Sequence, residues 1–461
     1  MKLKNTNIVI PEGNIFLNDR LKRKKSVDNL GGLLEKVVSP LVFSVNAPWG
    51  AGKTTFMRML HSSLSASEAK SIYFSAWETD FAVDPLLAFI GEMNVGLAFF
   101  INGNQEKSKA WAKAKAAGTH LMRRGIPVGV KLATAGILDL DKIIEDETSK
   151  LTEALAKDVI DAYSKNKQAI SVFKENVAKV LKSEDGSIGK MYIFVDELDR
   201  CRPTYAIELL ERIKHLLDVE GLVFILALDK QQLAHSVKAV YGADFDAVGY
   251  LKRFIDVEFT LPPADTVDFV GDLLTKFELD KYFDKRKKGE TVHDKESLLG
   301  MLRTVTRRMS LRSIEQLVAK VKLVSLSVKE NQFFYPEFVI FLLVVKEKYN
   351  EIYLEFSQET SSGTDLTALL VEVVPGDELL WTRQYLEGVI IAGKMRAART
   401  WSENRIQALK DIYNSQQATE HQKNDVGRIL DVVDQSTRMG GNVPLRTILD
   451  RIDMLSDFEF N

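Results

Sequence analysis

Eight consecutive residues, Ala47-Pro48-Trp49-Gly50-Ala51-Gly52-Lys53-Thr54, place two glycines, a lysine and a threonine where an apolar run gives way to a helical pattern. That combination suits phosphate. A loop turning from strand into helix points successive backbone N–H groups inward, and the helix N-terminus adds partial positive charge. Gly50 and Gly52 allow dihedrals and a close approach that a Cβ would obstruct. Lys53 is placed to reach the β- and γ-phosphates of a nucleotide, and the Thr54 hydroxyl to ligate Mg²⁺. Pro48, Trp49, Ala51 and Thr55 complete the stretch expected to surround the phosphates. Ala47 stands where such loops usually begin with glycine. Taken alone, these residues also fit an incidental Gly-Lys-Thr turn at a helix start.

A second group follows in Tyr192-Ile193-Phe194-Val195-Asp196-Glu197, an apolar strand ending in two carboxylates. Strand ends of an open α/β sheet line the ligand crevice. Asp196 is the candidate to hold Mg²⁺, usually through water. Glu197 is the candidate general base that orients or deprotonates the attacking water, and Asp199 is the rival for that role. Carboxylates here also suit the cap of a following helix. Asp229, at the end of a fourth strand, fits either a γ-phosphate sensor or the N-cap of the helix beginning near Gln231. Arg253 fits an arginine finger, in cis or across a subunit interface, or a surface ion pair. Arg200 is placed to bridge to a neighbouring subunit or to tether Asp199. The six histidines show no spacing for a metal triad.

The elements that must position these residues are legible around them. Leu41 to Asn46, Ser71 to Ala76, Met191 to Val195 and Leu222 to Leu228 read as strands, the last two apolar without alternation, as in parallel strands buried on both faces. A short β-prone stretch in Leu251 to Leu261 closes at Pro262-Pro263. From Thr54, the residues Phe56, Met57 and Leu60 recur at helical spacing. Strands separated by helices predict a doubly wound α/β core over 1–263, its parallel sheet flanked by helices, with a large helical insert at about 95–185. Residues 1–40 read as an amphipathic lead-in whose basic run, Arg20 to Lys25, forms a solvated helix face. Helical patterning then predicts a lid-like domain over 264–345 and an all-helical C-terminal region over 346–461. The loops fall at Asp284 to Glu290 and Gln358 to Asp365.

At 461 residues the chain is too long for one hydrophobic core. A net charge of −2 gives no whole-protein attraction for nucleic acid or membrane. The basic stretches Arg20 to Lys25, Lys109 to Lys115 with Trp111, and Lys285 to Lys288 are short, scattered and balanced by acids. The single cysteine, Cys201, excludes an intramolecular disulfide and cysteine-rich zinc sites, and suits a reducing cytoplasm. Met1 to Asn5 lacks the apolar core of a secretory signal. Ile126 to Leu138 and Phe338 to Val345 fall short of the roughly 20 apolar residues a spanning helix needs, and read as buried helices.

Trp49 within the loop, Phe74-Ser75-Ala76-Trp77-Glu78, and Phe194-Val195-Asp196-Glu197-Leu198-Asp199-Arg200-Cys201 together resemble the KAP family of P-loop NTPases. Ala227-Leu228-Asp229-Lys230 and Tyr250-Leu251-Lys252-Arg253-Phe254-Ile255 look like that family's downstream blocks, so the resemblance runs over about residues 15–345. It implies a signal-transduction NTPase related to AAA+ ATPases, using Mg²⁺-dependent ATP hydrolysis as a conformational switch. Mg²⁺-ATP is expected between the α/β core and the helical region. The resemblance further implies an effector protein encoded nearby, a possible homo-oligomer, and a role in bacterial defence against phage or plasmid conflict. It offers Arg312, beside Arg307 and Arg308, as a lid sensor arginine, and Trp77 as packing behind the P-loop. The chain departs from the family in two respects. Members often carry transmembrane helices, for which this chain has its helical insert, and they more often have Asp at the position of Glu197. A DNA-associated motor and a nucleotide-binding scaffold without turnover are the competing functions. Phe333 to Tyr353 and Asp457 to Phe460 are the expected partner-contact segments, with core packing the alternative for Phe338 to Val345.

Overall fold

The computed structural model describes residues 9–123, 149–285, 294–438 and 443–457, except 12, 68, 83, 184, 217, 330–331, 333, 359 and 377–378. The stretches 126–138 and 458–460, and most of the run 284–290, lie outside the described residues. Two units divide the chain, Ile8–Pro263 and Ala264–Asn461.

The first unit is built on a parallel sheet. Its strands are β1 (Leu41–Asn46), β2 (Lys70–Ser75), β3 (Met191–Asp196), β4 (Leu222–Leu228) and β5 (Val257–Thr260), in the spatial order β2-β3-β4-β1-β5. The register aligns Val45 with Ala227 and Ser75 with Asp196, so the C-terminal ends share one edge. The helices are α1 (Lys24–Lys36), α2 (Lys53–Ala66), α3 (Pro85–Ile101), α4 (Gln105–Arg123), α5 (Ser149–Leu181), α6 (Pro203–Leu216), α7 (Lys230–Tyr241) and α8 (Ala247–Leu251). Helices α3 to α5 lie between β2 and β3.

Period-two alternation sends β4 side chains to both layers. Val223, Ile225 and Ala227 pack with Phe43, Val45 and Phe194 against α1 and α2. Leu222, Phe224 and Leu226 pack with Ile72, Phe74 and Ile193 against α3, α6 and α7. With both faces covered, every residue of β3 and β4 is buried. That accounts for their unbroken apolar runs.

Trp111 is in this core, 2% exposed, with its indole N–H donating to Asn94 Oδ1 at 3.0 Å. It has no face free to stack on a base, which removes the aromatic element from the basic run at Lys109 to Lys115. Nor is Arg20 to Lys25 a solvated helix face. Helix α1 begins only at Lys24, and Arg23 is 4% exposed, its guanidinium turned inward.

The unit Ala264–Asn461 is helical throughout its described elements. Residues Pro336 to Val345 of the helix Pro336–Lys348 are all buried, and Tyr353 is buried too, its hydroxyl donating to Asp453 Oδ1 at 2.8 Å. Phe338 to Val345 is therefore core packing and not a partner-contact surface. No helix among the described residues is long and apolar enough to cross a membrane.

His61 of α2 lies edge-on to Tyr73 and Phe194, with ring centroids 5.7 and 5.2 Å away, and burial holds its pKa below the usual range. The folded protein therefore keeps the imidazole neutral, while the unfolded chain takes up a proton below about pH 6.5. Unfolding then binds protons, so stability falls as pH drops through that region. Thermal unfolding followed from pH 7.5 to 5.5 should show a smaller loss of Tm for His61→Gln than for wild type.

Candidate functional site

Every element of the candidate site ends or begins at the C-terminal edge of the sheet. After Asn46 the backbone leaves β1, and the Ala47 N–H still donates to Leu228 O of β4 at 3.2 Å. Ala47 is 2% exposed and packs with the α1–α2 layer, so the methyl group in place of the usual glycine fills core space. The loop then turns through Gly50 and Gly52, with φ of 75° and 84°. Both lie in the left-handed region, which costs an L-residue about 1–2 kcal/mol. Gly52 is the N-cap of α2, placing Lys53, Thr54 and Thr55 in its first turn, where unpaired amide N–H groups and the helix dipole favour an anion.

The Lys53 ammonium donates to Ala47 O at 2.7 Å and Pro48 O at 3.4 Å, and lies 3.5 Å from Asp199 Oδ2. Arg23 braces the loop from below. Its guanidinium donates to Pro262 O at 2.6 Å and Ala51 O at 3.5 Å, tying the chain before β1 and after β5 to the turn.

Asp196 and Glu197 follow β3. Asp196 is 2% exposed; its Oδ1 accepts from the Glu197 N–H at 2.8 Å and its Oδ2 from the Tyr73 hydroxyl. Burial, and then the Asp196 charge and hydrogen bond, push the Tyr73 hydroxyl well above its ordinary pKa, so it stays a donor. Glu197 adopts φ of 60°, a left-handed conformation that non-glycine residues hold mainly where surroundings over-determine it. Its Oε2 accepts from Ser75 Oγ at 3.0 Å and its Oε1 pairs with Arg200 at 2.7 Å. Arg200 thus tethers Glu197 and not Asp199. The Arg200 guanidinium also lies 5.9 Å from the Trp77 ring centroid. Trp77 itself is 53% exposed, which overturns its expected packing behind the loop.

Thr54, Arg58, Tyr73, Ser75, Asp196 and Glu197 line one cleft of about 140 Å³. The loop threonine and the paired carboxylates, far apart in sequence, therefore meet. Asp199 is not among the residues that line this cleft and is 6% exposed. Asp229 caps α7, accepting from Gln231 and Gln232 N–H at 3.1 and 3.3 Å, while its Oδ2 accepts from the Trp49 N–H at 3.2 Å. It serves as a cap and touches the loop as well.

Arg253 stays outside the cluster. It is exposed in the turn between α8 and β5, and among the described residues no hydrogen bond or ion pair joins its side chain to the site. Arg312 is exposed in the first turn of the helix Leu311–Leu326. Cys201 is buried, and burial followed by the charges of Asp80, Asp199 and Glu197 keeps its thiol protonated.

Sequence reasoning missed Tyr73, Ser75, Arg58 and Arg23 as site residues. Tyr73 and Ser75 alternate with Phe74 along β2, so period two places both on the face opposite the Phe74 core, a signal present in the strand pattern.

The family model for the KAP family P-loop domain matches residues 23–328. The chain belongs to the KAP family. Among curated proteins it is similar to the phage T7 exclusion protein of Escherichia coli (strain K12), 26% identical over 89 residues. That match covers 19% of this KAP chain and 12% of the exclusion protein. Among solved structures, the Aeropyrum pernix ORC2 protein in its ADPNP-ADP complexes aligns over 98% of this chain and 96% of its own at 13% identity, with a TM-score of 0.27.

The left-handed helix cap gives a direct test of the loop. Gly52→Ala should lower unfolding stability by about 1–2 kcal/mol, read as a shifted urea midpoint at unchanged m-value.

Proposed function

We propose that this KAP protein binds Mg²⁺-ATP at the loop 47–55 and hydrolyses it, using nucleotide state as a switch. The observation that carries the reading is the shared cleft, in which Thr54 at the head of α2 faces Asp196 and Glu197 at the end of β3. In this reading the loop amides and the N-terminus of α2 receive the phosphates. Lys53 supplies positive charge to the β- and γ-phosphates by exchanging its loop carbonyls for phosphate oxygens.

A hydroxyl and a carboxylate on one cleft form the hard oxygen donor set that Mg²⁺ selects, so Thr54 and Asp196 are the residues that would hold it. When bound, Mg²⁺ neutralises charge on the phosphate oxygens. Tyr73 fixes the orientation of Asp196 by its hydrogen bond. Glu197 is assigned as the general base because its carboxylate lines the cleft, held by Ser75 and Arg200. Asp229 adds contact with the loop at the Trp49 amide.

Downstream of hydrolysis, the helical unit after Pro263 is the proposed responder, with residues 264–345 acting as a lid and 346–461 carrying the signal to an effector protein encoded nearby. The weak likeness to a phage exclusion protein favours a setting in anti-phage or plasmid-conflict defence. Cytoplasmic residence and homo-oligomerisation belong to the same reading. Arg253 is exposed on the first unit and in this reading acts on a neighbouring copy as an arginine finger, with Arg312 the candidate sensor.

The test is steady-state hydrolysis beside nucleotide binding. Glu197→Gln should cut kcat by about 10²–10⁴-fold while ATP still binds, and Lys53→Ala should lose binding and turnover together. Wild type that binds ATP but releases no phosphate, even with its genomic neighbours present, would remove hydrolysis from the account.

A further inference from the structure

The Asp199 carboxylate does something different from its acidic neighbours. Its side chain is 1% exposed, and Oδ2 alone gathers three donors from three elements. The Trp49 indole N–H donates to it from the phosphate loop at 2.6 Å, and the Asp229 backbone N–H from the end of β4 at 3.0 Å. The Lys53 ammonium stands 3.5 Å away at the head of α2. A general base needs a free lone pair facing the nucleophile and the reacting phosphate. Asp199 does not line the cleft that Asp196 and Glu197 share, and its Oδ2 is instead turned to two N–H groups and a cation of the loop and strand ends.

The other end of the contact is equally unusual. Trp49 is 51% exposed, so its ring contributes little to the core, yet its one polar atom is drawn in to a buried carboxylate. Such a charge-assisted hydrogen bond is short and about twice as strong as a neutral one. Trp49 is held a second time, by its own backbone N–H to Asp229 Oδ2, while the Asp229 N–H returns to Asp199. The result is a closed ring of hydrogen bonds, Trp49 to Asp199, Asp229 to Asp199 and Trp49 to Asp229, joining the loop to the ends of β3 and β4.

We infer that Asp199 is a positioning residue: through the Trp49 indole it fixes the conformation of the phosphate loop, and through its charge it aims the Lys53 ammonium, while Glu197 carries the proton transfer. The inference rests on the nucleotide-hydrolysis reading for its kinetic consequences but not for its structural ones. A clamp on the loop acts on phosphate binding, so its loss raises KM more than it lowers kcat. Trp49 and Asp199 act as one unit, so the second substitution adds little to the first.

The experiment has a structural and a kinetic arm, run on the full chain with folding of each variant checked by circular dichroism. In the structural arm, the Trp49 indole N–H is identified among the five tryptophans by its disappearance in Trp49→Phe. It should exchange slowly with solvent in wild type and quickly in Asp199→Ala, with Asp199→Asn between them because its amide oxygen still accepts. An indole N–H that exchanges freely in wild type, or is unmoved by both Asp199 variants, overturns the clamp, and this holds even if no nucleotide is hydrolysed. In the kinetic arm, Asp199→Asn and Trp49→Phe should each raise KM about tenfold with kcat within about threefold, and the double variant should match the singles. A loss of kcat in Asp199→Asn as deep as that in Glu197→Gln, at unchanged KM, would make Asp199 the base and overturn the assignment.

Discussion

A parallel sheet delivers the C-terminal ends of all its strands to one edge, and the candidate site of this chain depends on that edge. Strand β1 hands over to the phosphate loop, β3 ends in Asp196, and β4 between them ends at Asp229. The intervening strand is a constraint as well as a spacer. With β4 in register with both neighbours, Ala47 N–H bonds to Leu228 O, and the Asp229 N–H is left to reach Asp199. Neither the loop nor the carboxylates would stand at a fixed separation if β4 slipped by one residue, since a slip reverses every side chain it carries. The burial of Val223, Ile225 and Ala227 on one face and Phe224 and Leu226 on the other makes that slip costly.

Around this edge the polar groups divide between binding geometry and support. Gly50 and Gly52 adopt conformations that expose loop amides, and α2 begins where they end. Arg23 holds the loop from one side through Ala51 O, and the ring of Trp49, Asp199 and Asp229 from the other. Burial of these charged groups is offset by polar partners, Arg23 through its two terminal nitrogens while its Nε is buried without a partner among the described residues. Glu197, by contrast, is left at the cleft with its left-handed backbone, held by one hydroxyl and one half-exposed arginine. In the proposed function this cleft-side carboxylate takes the proton, and Asp199, which does not line the cleft, supports the loop.

Much of this was legible in the sequence because the information is local. The strand from Leu41 to Asn46, the glycines after it and the helix from Lys53 declare themselves by composition and period within a single window. The apolar run ending in Asp196 does the same. What was not legible depends on partners distant in the chain. The hydrogen bond on which the positioning role inferred for Asp199 rests comes from Trp49, 150 residues away, and the burial of Arg23 involves Pro262, 239 residues away. Local averages misled in the same way at Trp77, which reads as core beside a strand but lies in the turn after it, half exposed against Arg200. Arg23 sits in a run of cations that looks solvated until the chain folds over it.

In the proposed function the Thr54 hydroxyl and the Asp196 carboxylate together serve one metal–nucleotide complex. Manganese titrated into the protein, with free Mn²⁺ followed by electron paramagnetic resonance, tests it directly. Tight Mn²⁺ binding is expected only when a non-hydrolysable ATP analogue is present, weakened at least tenfold, about 1.4 kcal/mol, by either Thr54→Ala or Asp196→Asn. Equal Mn²⁺ affinity with and without the analogue, or indifference to both substitutions, would contradict it.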